Sequence, residues 1–67
     1  MYRYYSTQRP VAPGSFPRPS TAQNVHNFDT RQMVESINRP AWGYVDYPCP
    51  LTEKEQSDYE LVKGEWW

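Results

Sequence analysis

The sequence predicts a small α+β fold: an antiparallel sheet of about three strands with one C-terminal helix packed on it. Three observations carry that expectation. Ala41 to Tyr47, AWGYVDY, has the aromatic and β-branched content of a strand. Pro48-Cys49-Pro50 then ends it, because proline cannot donate to a sheet ladder. Thr52, followed by Glu55, makes a capping box that opens a helix expected over 51–63. The 67 residues form one domain spanning 1–67. A chain this short buries only about 60% of the surface it exposes when unfolded, so its core is small.

Taken in order, Tyr2 to Thr7 (YRYYST) reads as a strand with Tyr2 and Tyr4 on one face and Arg3 and Tyr5 on the other. Neither face is strongly apolar, which suggests an edge strand blunted by Arg3. A Pro-rich loop follows over 9–24. Its four prolines, Pro10, Pro13, Pro17 and Pro19, exclude a regular helix or a central strand. Pro13-Gly14 fits the centre of a type II turn, and Val11 and Phe16 are placed to pin the loop to the core. A PxxP ligand reading, from Pro10 to Pro13, is the weaker alternative. Val25 to Asp29 alternates imperfectly, as in a second strand with a bulge or bend. Asp29 to Arg39 leaves two readings open. One is a short helix with Met33, Val34 and Ile37 on one side. The other, which we favour, is a hairpin whose first arm, Arg31 to Glu35, pairs with AWGYVDY.

Within AWGYVDY, Trp42, Tyr44 and Asp46 share one face, and Gly43, Val45 and Tyr47 the other. Gly43 between large rings suggests a bulge or a close backbone approach. In the helix, Leu51, Glu55, Tyr59 and Val62 recur at helical spacing, with Tyr59 and Val62 expected to pack and Gly64 expected to follow the last turn. Trp66 and Trp67 remain at the terminus, to fold back onto the sheet or to meet a partner.

Net charge is −1, which argues for neither nucleic acid nor membrane as a partner of the whole chain. The charges are nevertheless segregated. Residues 1–40 carry Arg3, Arg9, Arg18, Arg31 and Arg39 against Asp29 and Glu35, whereas 41–67 carry Lys54 and Lys63 against six carboxylates. The simplest expectation is that the basic front pairs with the acidic back inside the fold. Cys49 is the only cysteine and His26 the only histidine, so no internal disulfide forms and the commonest zinc ligand sets cannot be assembled. No apolar run approaches the ~20 residues that span a bilayer and no export signal is visible, which points to the cytoplasm and away from membranes.

No phosphate-binding glycine loop, metal motif or nucleophile–base pairing is set by spacing. Glu53, Glu55, Asp58 and Glu60 read as a solvated helix face. The expectation is therefore no enzyme, with no catalytic, cofactor or metal residues. What stands out is aromatic mass: three Trp, six Tyr and two Phe. At roughly 150–250 Å² per ring, they exceed what so small a core can enclose.

YRYYSTQRP, NFDTR, AWGY and LTEKEQSDYEL, in that order, resemble small uncharacterised proteins carried by conjugative and phage-like elements of Gram-positive gut bacteria. The resemblance spans Tyr2 to Leu61 and implies no catalytic residue. Together with the small size and the surplus aromatics, it motivates a non-enzymatic module that binds another protein, a modulator or inhibitor by analogy with small counter-defence proteins of such elements. The partner-binding candidates are Arg3, Tyr5, Trp66 and Trp67, as surplus aromatic and arginine anchors, with Glu53 and Glu60 on the acidic helix. Two alternatives stay open. One is a single-stranded nucleic-acid binder stacking bases on Tyr2, Tyr4 or Tyr5 with Arg3, Arg9 and Arg18 on phosphates. The other is a homodimer that buries the same rings.

Overall fold

The computed structural model describes every residue from Met1 to Trp67. Its elements in chain order are β1 (Tyr2–Ser6), β2 (Asn24–Val34), β3 (Arg39–Tyr47), α1 (Glu53–Asp58) and β4 (Leu61–Trp66), with short 3-10 turns at Pro19–Thr21 and Glu35–Ile37. The class is α+β as expected, but the sheet has four strands, in the order β2-β3-β1-β4, antiparallel throughout.

The fourth strand corrects the expected C-terminal helix. The capping box forms: the Thr52 hydroxyl accepts from Glu55 N–H at 3.1 Å, and the Glu55 carboxylate accepts from Thr52 N–H at 2.9 Å. The helix it opens ends at Asp58, because Glu60 adopts a left-handed backbone, φ 54°. Arg9, on the Pro-rich loop, pairs with the Glu60 carboxylate at that turn. The chain leaves extended, and β4 pairs with β1 through Tyr5↔Val62 and Ser6↔Leu61. Val62 is thus a strand residue, and Gly64 lies within β4 against the Tyr5 ring instead of capping a helix.

β1 is also corrected, from edge to interior, since it pairs with β3 on one side and β4 on the other. Both β3 and β4 run antiparallel to β1 and so run parallel to each other. The link between them has to cross β1, and that crossing lays Leu51 on the core. The 30–38 alternatives resolve as the hairpin, with Asn38 supplying the left-handed turn residue, φ 56°. β2 carries the expected irregularity. Its ladder with β3 breaks between Asn27↔Gly43 and Gln32↔Ala41, so Phe28 to Arg31 bulge out opposite Trp42. The turn at Glu35–Ile37 packs against β4.

One sheet face carries the core of Tyr4, Val11, Phe16, Val45, Tyr47, Leu51 and Leu61. The layer over it is supplied less by α1, which buries no residue, than by the Pro-rich loop. Val11 and Phe16 pin that loop as expected, each contributing about 1.5–3 kcal/mol by burial. Asn27 clamps it further, accepting from Val11 N–H at 2.7 Å and donating to Val11 C=O at 2.6 Å. Gly14 closes the type II turn at φ 87°, with Ser15 N–H bonded to Ala12 C=O at 2.9 Å. Tyr4 and Tyr47 reach through the core to satisfy backbone: the Tyr4 hydroxyl accepts from Leu51 N–H at 3.0 Å, and the Tyr47 hydroxyl donates to Pro17 C=O.

The charge segregation resolves as pairing across the fold. Arg3 binds Asp46, Arg9 binds Glu60 and Arg18 binds Glu55. Glu55 therefore caps α1 and receives Arg18 with one carboxylate, Arg18 Nε and Nη2 lying at 2.8 and 2.9 Å.

Two outcomes follow from this packing. A Cβ on Gly43 would sit 2.1 Å from the His26 carbonyl oxygen, a backbone atom that cannot move aside. Gly43→Ala should lower stability by about 1–3 kcal/mol or more in urea melts, the range for overpacking. The Thr52 N–H, followed by Arg18, holds the Glu55 carboxyl below its ordinary 4.5. Its stabilising effect is present above 4.5 and is lost as the pH falls through the lowered value. The gap in thermal midpoint between wild type and Glu55→Gln should accordingly be open at neutral pH and close on acidification.

Candidate functional site

The sheet face opposite the core has no layer of its own over most of its width. Strand alternation delivers to it Arg3 and Tyr5 from β1, Tyr44 and Asp46 from β3, and Asn24 and His26 from β2. Trp67 joins them from beyond β4, its N–H bonded to Met1 C=O at 2.9 Å.

Asp46 anchors the face. It is fully buried, and its carboxylate accepts from Arg3 Nε at 2.7 Å, Arg3 Nη2 at 2.9 Å and Asn24 Nδ2 at 3.1 Å. These hydrogen bonds raise the affinity of the Arg3 guanidinium for its proton, against the opposing effect of burial. The fork lays that guanidinium over the Tyr44 ring, 3.7 Å from its centroid, and 5.0 Å from the Trp67 ring. On the far side of Tyr44, His26 stacks at 5.2 Å with an interplanar angle of 29°, and Phe28 tilts against both. A ladder results, Trp67–Arg3–Tyr44–His26, with one side chain from each strand or its end. Each ring or cation contact of this kind is worth about 0.5–1.5 kcal/mol. Trp67 is 61% exposed, His26 is exposed, and Tyr44 and Phe28 are half-buried.

Of the candidate residues, the structure brings Arg3, Tyr5 and Trp67 together on this face. Tyr5 lies beneath it, 4% exposed, with its hydroxyl 2.7–2.8 Å from the Glu65 carboxylate oxygens. Trp66 points to the other side, where it packs edge-on against Tyr2 at 4.5 Å and lies under the Lys63 ammonium. Glu53 and Glu60 lie apart with α1; Glu53 is exposed, and Glu60 holds Arg9. Sequence reasoning missed His26, Phe28, Tyr44, Asn24 and Asp46 as members of the face. Its one signal was the alternation that places Trp42, Tyr44 and Asp46 on a common side of β3.

Elsewhere, a shallow pocket of about 70 Å³ is lined by Arg18, Thr21, Tyr47, Pro48 and Cys49, against the ~300–1,000 Å³ typical of small-molecule sites. No group of three or more His, Cys, Asp or Glu side chains is placed to hold a metal. No helix is long and apolar enough to cross a membrane.

Burial first, and then the Glu65 carboxylate, push the Tyr5 phenol above its ordinary 10.0. A raised folded value means that the stabilisation is complete below 10.0 and is lost as the pH rises through the raised value. Tyr5→Phe should cost about 0.5–1.5 kcal/mol at neutral pH. In alkaline melts it should also remove part of the wild-type decline.

A search of curated proteins and a search of solved structures each found no match. A family model does match, described as defence against restriction A C-terminal, and it covers residues 1–65. That description fits counter-defence of the kind that phage and other mobile elements carry, in line with the resemblance noted in the sequence. On nearly full-length coverage, the chain belongs to the defence against restriction A C-terminal family.

Proposed function

We propose that the chain is a non-enzymatic protein-binding module of a mobile-element counter-defence protein, and that it engages its partner through the open sheet face. The observation that carries this reading is the Trp67–Arg3–Tyr44–His26 ladder, which crosses all four strands and stays accessible at both ends. Tryptophan, tyrosine and arginine are the residues enriched where binding energy concentrates. Family membership supports the process, and the exposed rings of the face support the means. On this reading the partner is a protein of the host's restriction machinery, met in the cytoplasm of the Gram-positive gut host that the resemblance implies. Glu53, exposed beside α1, is a secondary contact at most.

Less supports the nucleic-acid reading, for which only Tyr2 of its three stacking rings keeps some exposure. Tyr4 and Tyr5 are buried, and Arg3, Arg9 and Arg18 each hold a carboxylate. The homodimer reading remains a distinct outcome of the test.

The experiment is the establishment of unmodified DNA in a restricting host, with and without the protein. Wild type should raise the efficiency, and Trp67→Ala and His26→Ala should each lose about tenfold or more of that protection per folded molecule, at a temperature where the variants remain folded. Full protection by both variants would remove the face from the mechanism. A stable dimer in sedimentation that both variants dissociate would favour self-association. Steeply salt-dependent retention of single-stranded DNA would favour the nucleic-acid reading.

A further inference from the structure

Resting on the binding role proposed for this face, we infer that Asp46, a residue no partner can touch, is the positioning residue that sets the geometry of the binding surface. Asp46 is fully buried, yet its carboxylate holds the Arg3 guanidinium, which lies between two rings of the ladder. The reason lies in the fork. Arg3 Nε and Nη2 both donate to it, at 2.7 and 2.9 Å, so the guanidinium cannot rotate about its own bond. Its plane is thereby fixed between Tyr44 at 3.7 Å and Trp67 at 5.0 Å. Asn24 Nδ2 holds the same oxygen, Oδ2, that receives Arg3 Nη2, so the carboxylate is itself kept from turning.

Each of these groups comes from a different strand: Arg3 from β1, Asn24 from β2 and Asp46 from β3. Trp67 lies past the end of β4, and no backbone partner beyond Met1 fixes its ring. The guanidinium is therefore the surface against which Trp67, an exposed ring of the ladder, takes its place. A lysine at position 3 would keep the charge but not the plane, because an ammonium is a point charge with no flat face to set between two rings. The inference thus separates charge from orientation, and these have different experimental signatures.

The test uses the whole chain with Arg3→Lys, Asn24→Ala, Asp46→Asn and Trp67→Ala. Three readouts are taken: thermal midpoint, near-ultraviolet circular dichroism of the rings, and protection of unmodified DNA in the restricting host. Arg3→Lys should retain the far-ultraviolet spectrum at the assay temperature, lower the thermal midpoint because one of the two hydrogen bonds to the buried carboxylate is lost, lose the near-ultraviolet ring signal, and lose about tenfold of protection per folded molecule. Asn24→Ala should move both signals the same way and by less. A purely structural role for the pair would instead leave the ring signal and the protection in step with the folded fraction. Should Asp46→Asn fail to fold, Arg3→Lys and Asn24→Ala still decide, because both leave the carboxylate in place. Wild-type protection and ring signal in Arg3→Lys would overturn the inference. If Trp67→Ala loses protection while Arg3→Lys and Asn24→Ala keep it, the face binds but Asp46 does not position it. If Trp67→Ala protects fully, the binding role of the face falls, and the inference falls with it.

Discussion

A fully buried carboxylate on a central strand is the constraint on which this fold depends. Removing Asp46 from water costs several kcal/mol in a domain with little stability to spare. The cost is offset only if Arg3 and Asn24 arrive together and in register. Arg3 is the direct cross-strand partner of Asp46 on β1, and Asn24 its direct partner on β2. A slip of one residue would turn the carboxylate onto the core face, away from both Arg3 and Asn24. Register in the three strands is thus specified by an ion pair as much as by apolar alternation, which a short aromatic chain specifies poorly.

That constraint also explains where the aromatic mass goes. Tyr4, Phe16 and Tyr47 belong to the core. Tyr5, Tyr44, His26 and Phe28 lie on the opposite face, stacked edge-on or face-on against one another and against Arg3. An ordinary two-layer domain covers its core face with a helix and leaves the other face to solvent. Here the only helix spans Glu53–Asp58 and buries nothing, and the covering layer of the core is a proline-rich loop. The rings of the second face pack laterally, within the sheet surface, so they contribute to stability while leaving their outer sides accessible.

Local signals were the legible ones. Thr52 with Glu55, Pro13-Gly14 and AWGYVDY each act within a few residues, and each appears in the structure where the sequence placed it. The hairpin around Glu35–Ile37 was readable because the favoured first arm needed only a neighbouring strand. What could not be read was decided at long range. β1 looked like an edge because neither of its faces is strongly apolar and Arg3 could blunt an exposed side, but the partner of Arg3, Asp46, lies 43 residues away. β4 looked like the end of the helix because Tyr59 and Val62 fall at helical spacing. The residue that ends α1 is Glu60, a non-glycine in a left-handed backbone paired with Arg9, and no stop signal in its neighbourhood announces it. The candidate face was half legible: Arg3, Tyr5 and Trp67 were named from residue type, whereas His26 and Tyr44 came into view only with the pairing of β2 to β3.

The distribution of charge bears on how such a face would select a partner. Four of the seven basic side chains are spent on internal ion pairs, with Arg3, Arg9, Arg18 and Lys54 each bound to a carboxylate of the same chain. The apparent polarity of the sequence is therefore largely cancelled in the fold, and little of it is left to steer a charged partner from a distance. Recognition would then rest on short-range complementarity to rings held in fixed orientation. Such recognition favours the partner that fits over the one that is merely oppositely charged. A domain with so small a core achieves that rigidity by tying its outer face to a charge in its interior.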